Sequence, residues 1–203
     1  MNPERRPELE SYSMALIKPD AYRDVLSQMI IADLEEAGLS IVFRKEMRLE
    51  RHEAEFSYDE HRGSKNYPFM VESLMLKDKH GDQYPCMLLV LKSGEDDALG
   101  LTQKAKGRAD RDGIRAKYRL YFWHELEEMG YLGDELSSML ARNRLHVPDD
   151  HQRMTEILGV LLTERDVDEI SQREDQLGNI IREYKDSVPR AIIPMQENND
   201  GVK

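Results

Sequence analysis

Short apolar segments separated by helical patterns are the feature that most constrains how this chain folds. Residues 86–91 form a continuous apolar run, and residues 12–17 form a nearly continuous one. Both runs are too short for a core helix and have the length of a buried strand. A mixed segment at 41–49 and a short one at 142–147 also have strand character. The chain is therefore predicted to form a sheet of four strands.

Helical patterns fill the intervals between these predicted strands. After the first strand, apolar residues recur at helical spacing up to Gly38, which is a natural helix C-cap. The other helices are predicted at residues 51–62, 68–76, 95–105, 120–140 (one helix or two), 151–162 and 164–184. This order is compatible with an α/β (α+β) fold, a ferredoxin-like βαββαβ antiparallel sheet core covered by helices. We expect the helices to lie over one face of the sheet.

Composition narrows the class of protein. The chain has 203 residues, enough for one domain with additions, and its 39% hydrophobic and 34% charged residues are typical of a soluble globular protein. No apolar stretch is long enough to span a membrane, and the polar first ten residues lack a signal-peptide core. The lone cysteine, Cys86, fits a reducing cytoplasm. No membrane partner is therefore expected.

Charge is unevenly distributed along the chain. The net charge of −11 argues against nucleic acid as a partner, because nucleic-acid binding needs a basic surface. Residues 104–119 nevertheless carry seven lysines and arginines against two aspartates. This basic segment is either an anion-binding site or a solvated loop, and composition alone does not decide between them. The sequence contains no cysteine and histidine cluster with metal-ligand spacing, so no dedicated protein metal site is expected.

Two strings far apart in the sequence carry groups suited to phosphate chemistry. Lys18-Pro19-Asp20 follows the first apolar run, and Arg142-Asn143-Arg144-Leu145-His146 follows another. A lysine ammonium is a mobile positive charge for phosphate oxygens. A neutral imidazole is a nucleophile near physiological pH and can be covalently modified. The blander interpretation is a surface lysine and a histidine that merely ends a strand.

These strings also resemble those of a known family. Ile17-Lys18-Pro19-Asp20 resembles the lysine-proline-aspartate motif of nucleoside diphosphate kinases, and Asn143-Arg144-Leu145-His146 resembles their active-site motif. The resemblance covers about residues 11–165, with a helical insertion at about 119–140, and leaves 166–203 as a C-terminal helix and tail. The order of the two motifs and the matches between them make the resemblance more specific than either string alone.

The resemblance implies an enzyme activity. Such an enzyme transfers the terminal phosphate of a nucleoside triphosphate to a nucleoside diphosphate, through a phosphohistidine intermediate and with ping-pong kinetics. Its expected partners are ATP and other nucleoside di- and triphosphates, and its expected cofactor is Mg²⁺ bound mainly through the nucleotide phosphates. The family also implies a homo-oligomer, commonly a tetramer or hexamer.

The same resemblance assigns residues to the site. His146 is the expected catalytic nucleophile, and Lys18 is the expected electrostatic stabiliser of the transferred phosphoryl group. Tyr58 resembles the tyrosine that packs near the active histidine, and Phe69 resembles the aromatic residue on which the base stacks. For both aromatic residues, ordinary packing is the alternative.

Three further residues complete the expected site. Arg115, in Gly113-Ile114-Arg115, resembles the arginine that binds nucleotide phosphate, for which a guanidinium fork is well suited. Asn143 is expected to contact the ribose or phosphate of the nucleotide. Glu156 resembles the glutamate that orients the histidine, and its alternative is a charge on a helix surface.

The chain also departs from the family pattern. Ala21 replaces a glycine, and Pro148 stands where a serine hydroxyl is usual. A second family arginine is not evident, with Thr102, Lys104, Lys106 or Arg108 as substitutes. These departures keep two alternatives open: a catalytically weakened nucleotide-binding module for regulation or scaffolding, and a protein-to-protein phosphohistidine carrier. A carrier needs His146 exposed to its partner.

Overall fold

A computed structural model describes residues 7–94, 97–108 and 111–187 of the chain, and its central feature is an antiparallel sheet. The strands are β1 (Tyr12–Ile17), β2 (Leu39–Met47), β3 (Cys86–Ser93) and β4 (Leu145–His146). Their order in the sheet is β2-β3-β1-β4, and each neighbouring pair is antiparallel. This is the predicted βαββαβ arrangement, so the predicted fold class is confirmed.

The register of the sheet brings the two motifs together. Leu16 in β1 is opposite His146 in β4, and the backbone N–H of Lys18 donates a hydrogen bond to the carbonyl oxygen of Arg144 at 2.8 Å. The chain therefore leaves β1 at Lys18 and enters β4 after Arg144 at the same end of these two adjacent strands. The predicted strand at 142–147 is shorter in the structure, because only Leu145 and His146 pair with β1.

Helices occupy most of the remaining described chain. They are α1 (Pro19–Arg23), α2 (Ser27–Glu36), α3 (Arg51–Ser57), α4 (Tyr67–Leu74), α5 (Ala98–Lys106), α6 (Gly113–Lys117), α7 (Trp123–Glu128), α8 (Gly133–Ala141), α9 (His151–Leu161), α10 (Glu164–Arg173) and α11 (Asp175–Ser187). The insertion predicted at 119–140 corresponds to α7, α8 and the segment before them. None of the helices in the described ranges combines the length and apolar character needed to cross a bilayer.

Both faces of the sheet are buried, which corrects the expectation that helices cover one face. Met14 and Leu16 lie in a core with residues of α9, α10 and α11, whereas Ala15 and Ile17 lie in a second core with residues of α2 and α5. Every residue of β1 is buried. An apolar run without polar alternation is typical of a strand covered on both sides, and residues 12–17 and 86–91 have this pattern.

The C-terminal helices belong to the same core. The helix predicted at 164–184 divides at Glu174, whose carboxylate accepts hydrogen bonds from the Tyr12 hydroxyl at 2.5 Å and from Lys92 Nζ at 2.8 Å. Val167 and Ile181 pack in the core beside β1. The division of the chain at 165/166 remains a prediction, and it falls inside α10; residues 188–203 of the predicted tail lie outside the described residues.

Candidate active site

Lys18 is held in a buried position at the junction of β1 and α1. Pro19 lies in the first turn of α1, where its fixed φ and missing N–H suit a helix start. The Lys18 side chain is buried, and its Nζ donates to the Ala141 carbonyl oxygen at 2.6 Å and to Asn143 Oδ1 at 3.2 Å. Burial lowers the pKa of Lys18 to about 7, with Asp20 opposing this shift. The neutral amine present near pH 7 therefore takes up a proton when an anion binds beside it.

His146 lies beside Lys18 as an uncharged imidazole. It is only 4% exposed, and its ring meets the Tyr58 ring edge-on with centroids 4.5 Å apart. Burial lowers the pKa of His146 well below its usual value, and the positive charges of Lys18 and Arg115 lower it further. Its Nε2 is buried and has no hydrogen-bond partner among the described residues. The ring is consequently neutral near pH 7, which is the form that can act as a nucleophile.

Arg115 and Asn143 flank the histidine strand. The Arg115 guanidinium donates from Nε and Nη2 to the Leu145 carbonyl oxygen at 3.1 and 2.8 Å, and burial lowers the pKa of Arg115. The carbonyl oxygen of Asn143 accepts from Lys18. The structure therefore gathers Lys18, Tyr58, Arg115 and Asn143 around His146, and the roles expected for these residues remain predictions.

Lys106 is the best placed of the four possible substitutes for the missing arginine. It is half-buried on α5, and burial, followed by the nearby Arg115, lowers the pKa of Lys106. It also contributes to lowering the pKa of His146. Thr102 is buried and its hydroxyl donates to the Ala98 carbonyl oxygen at 2.7 Å. Lys104 and Arg108 are exposed.

Arg144 is a further buried residue of the site, and nothing in its sequence context indicates this burial. It has φ of 71°, in the left-handed region that costs a residue with a large side chain about 1–3 kcal/mol. Its guanidinium donates to Asp20 O at 2.9 Å, Asp24 Oδ2 at 2.6 Å and Tyr118 O at 2.7 Å. Its backbone N–H donates to Asp20 Oδ2 at 3.1 Å. Arg144 thus joins the turn after Lys18 to the strand that carries His146.

The Asp20 carboxylate does not cap α1, because the N-cap residue is Lys18 and no side chain caps the helix. Asp20 instead binds Arg144, in a pair whose side chains are 1% and 0% exposed. The pattern Arg-Asn-Arg in the sequence gave no signal of burial, because arginine is rarely buried unless it is paired.

Phe69 and Glu156 make no ring contact or hydrogen bond with His146 among the described residues. Phe69 is half-buried on α4. The Glu156 carboxylate accepts hydrogen bonds from Gln152 at 2.9 Å and from Arg153 at 2.9 Å. Within the described parts of the chain, no hydrogen bond joins Glu156 to His146.

A group of possible cation ligands lies on the segments that follow Tyr58 and His146. One ligand atom each from Glu60, His61 and Asp149 lies within 4.8 Å of the others. Glu60 also pairs with Arg153 at 2.8 Å. Two carboxylates close together suit Mg²⁺, which binds proteins through one or two carboxylates and takes its other ligands from phosphates and water.

The site therefore combines an uncharged imidazole with buried cations. That combination suits a protein that transfers phosphoryl groups, because the cations offset charge on the group while the imidazole accepts it. The sequence model described as "Nucleoside diphosphate kinase" matches residues 11–167. This match covers more than half of the chain, and the chain therefore belongs to the nucleoside diphosphate kinase family.

Individual relatives agree with this assignment. The nucleoside diphosphate kinase of Rickettsia canadensis is 35% identical over 105 residues, which are 52% of this chain and 69% of the relative. That of Acidiphilium cryptum is 30% identical over 131 residues, which are 64% of this chain and 87% of the relative. The family consists of phosphotransferases that act on nucleotides, so the chain is classed as an enzyme of this kind.

Solved structures show the same fold. A transition-state mimic of nucleoside diphosphate kinase from Borrelia burgdorferi, with bound vanadate and ADP, aligns with a TM-score of 0.58 at 15% identity. The alignment covers 76% of this chain and 88% of that one. At this level of identity the likeness establishes the fold, and the chemistry of this chain rests on its own site.

Proposed function

We propose that this chain transfers the terminal phosphate of a nucleoside triphosphate to a nucleoside diphosphate through a phosphate carried on His146. The observation that carries the proposal is a neutral imidazole buried against Lys18 and Arg115. An imidazole nitrogen attacks the γ-phosphorus, the bond to the bridging oxygen breaks, and the diphosphate leaves. A terminal oxygen of a second diphosphate then attacks the phosphorus and regenerates the histidine.

Each neighbouring side chain has a role in this proposal. Lys18 and Arg115 offset charge on the transferred group, Asn143 holds Lys18 and meets the nucleotide, and Tyr58 packs against the imidazole ring. Glu156 would act on His146 only indirectly, by moderating the charge of Arg153, which is among the groups that lower the pKa of His146.

The expected Mg²⁺ fits the residues present. It would be held mainly by nucleotide phosphates, with Asp149 and Glu60 as the carboxylates within reach of one another. When bound, the ion neutralises phosphate charge. The negative charge of Asp149 is close enough to Arg115 and Lys106 to raise the pKa of each, against the effect of burial.

The cellular setting is part of the proposal. The thiol of Cys86 is free and buried, which supports a reducing, cytoplasmic compartment. Burial raises the pKa of Cys86 to about 12, so the thiol is unreactive. We also propose a homo-oligomer, as the family implies, and sedimentation velocity measures it directly.

The experiment is a two-step labelling assay. The chain is incubated with γ-labelled ATP and Mg²⁺, and the protein is tested for acid-labile label that a nucleoside diphosphate removes as triphosphate. Wild type and His80→Ala, which changes an exposed histidine, should label equally, and His146→Ala should not label. Nucleotide binding without label would overturn the proposal in favour of a regulatory module. Label released only to another protein would favour a carrier, which the 4% exposure of His146 opposes.

A further inference from the structure

A cavity beside Asn143 is lined mainly by the insertion. Its lining includes Arg115 and Asn143 of the candidate active site, together with Arg119, Arg142 and a set of apolar and aromatic residues. The lining residues from the insertion that matter here are Tyr121, Phe122, Trp123 and Leu140. The cavity therefore borders Arg115 and Asn143 and extends over aromatic residues of the insertion.

The aromatic side chains that line this cavity are exposed to solvent. Trp123 is 56% exposed, Tyr121 is 40% exposed and Phe122 is 38% exposed. The Arg119 guanidinium stacks on the Phe122 ring, 3.1 Å from its centroid, which orients the ring at the cavity wall. Exposed neighbouring aromatic residues mark a binding surface, because leaving their apolar area in water is unfavourable.

Phe69, the residue expected to stack on the base, does not line this cavity. It lies on α4, and α4 packs against α8 of the insertion. The insertion thus packs against α4 through α8, and its aromatic residues line the cavity beside Arg115 and Asn143. The aromatic surface continuous with Arg115 and Asn143 is the one that the insertion provides.

We propose that this cavity binds the base of the nucleotide, which stacks on Tyr121 and Trp123 while the phosphates reach Arg115 and Lys18. This inference rests on the proposed function, because it places the nucleoside end of the same substrate. A nucleoside diphosphate is planar and aromatic at one end and anionic at the other, and the cavity lining combines aromatic rings with guanidinium groups. Stacking on π-faces accepts any base, which suits a broad nucleoside specificity.

Trp123 is the only tryptophan of the chain, so its fluorescence reports on this cavity alone. The emission of wild type is titrated with ADP and with inorganic triphosphate, which has phosphates but no base. ADP should change the emission saturably, and inorganic triphosphate should bind, by calorimetry, without that change. Tyr121→Ser should weaken ADP binding about tenfold and leave triphosphate binding unchanged, because only the base is affected. The matched control is Leu132→Ser, which alters an exposed apolar residue of the insertion outside the cavity lining.

The remaining outcomes separate this inference from the proposed function. If ADP binding is unchanged in Tyr121→Ser but lost in Phe69→Ser, the proposed base site is overturned and the phosphotransfer proposal stays intact. Emission that changes with protein concentration and not with ADP would show that a second copy covers the cavity, and would also overturn it. A wild type that shows the ADP signal but no label on His146 would support the base site while the phosphotransfer proposal fails. Triphosphate binding by each variant confirms that it is folded.

Discussion

The residues around His146 and those of the insertion beside them differ in solvent exposure and in how firmly they are held. Lys18, Arg144 and His146 are each at most 4% exposed and are fixed by hydrogen bonds or ring contacts, whereas Tyr121 and Trp123 are 40% and 56% exposed. A charge stabilises a transferred phosphoryl group strongly only where water is excluded and the geometry is already set. An aromatic stacking surface needs neither condition and gains by staying open until a ligand covers it.

The largest expected effect comes from breaking the buried network. Arg144→Met leaves the carboxylates of Asp20 and Asp24 without the guanidinium, so it should lower the free energy of unfolding by about 3–5 kcal/mol. Urea denaturation measures the change. The matched variant Arg62→Met removes an exposed pair with Asp59 and should change stability by no more than about 1 kcal/mol. Equal losses in the two variants would show that burial of Arg144 has no energetic consequence.

The next effect separates catalysis from folding. Lys18→Met should slow phosphoryl transfer about 100- to 1,000-fold, because it removes one fixed charge from the water-excluded site. It should cost little stability, because burying the ammonium is itself unfavourable, as the pKa of about 7 indicates. Single-turnover labelling of His146 and urea denaturation are measured on the same protein. A rate within tenfold of wild type contradicts the role assigned to Lys18.

The pH dependence of binding tests the same lysine. The pKa of Lys18 is about 7 in the free protein, and a bound polyphosphate raises it, so binding above pH 7 must take up a proton. Affinity for inorganic triphosphate should therefore fall as pH rises from 7 to 9, by up to about tenfold per pH unit. His146 should not add a change between pH 7 and 6, because its pKa lies well below the usual value.

Calorimetry in two buffers of different ionisation enthalpy counts the proton directly. Wild type should take up close to one proton per triphosphate bound at pH 8, and Lys18→Met should take up none from this source. Equal proton uptake by both proteins would assign the linkage to another group, such as Lys106.

The smallest expected effect lies in the insertion. Trp123→Ser should change the free energy of unfolding by no more than about 0.5 kcal/mol, because the side chain is 56% exposed. Leu16→Ala in β1 should cost about 2–5 kcal/mol, because that side chain is fully buried. Comparing the two by urea denaturation sharpens the contrast between the regions, and a large loss in Trp123→Ser would place Trp123 in the core instead.

Much of the fold was predictable because strands of this kind are local patterns. The apolar runs located β1 and β3, and Gly38, with φ of 91°, ended the helical pattern before β2 as expected. Two features were not predictable from such patterns. The break at Glu174 depends on Tyr12 and Lys92, far away in the sequence, and two-sided burial of the sheet depends on where distant helices pack.

The sequence by itself determined which chemical groups the site has. These are a lysine and a histidine that follow apolar runs, and, between them in the chain, Arg115 and Asn143. The tertiary structure alone decided their state. Register placed His146 beside Lys18, burial made the imidazole neutral and lowered the pKa of the lysine, and Arg144 joined the two segments. The reason is physical: residue types are carried by the chain, but desolvation and electrostatic coupling depend on distances between groups that only folding sets.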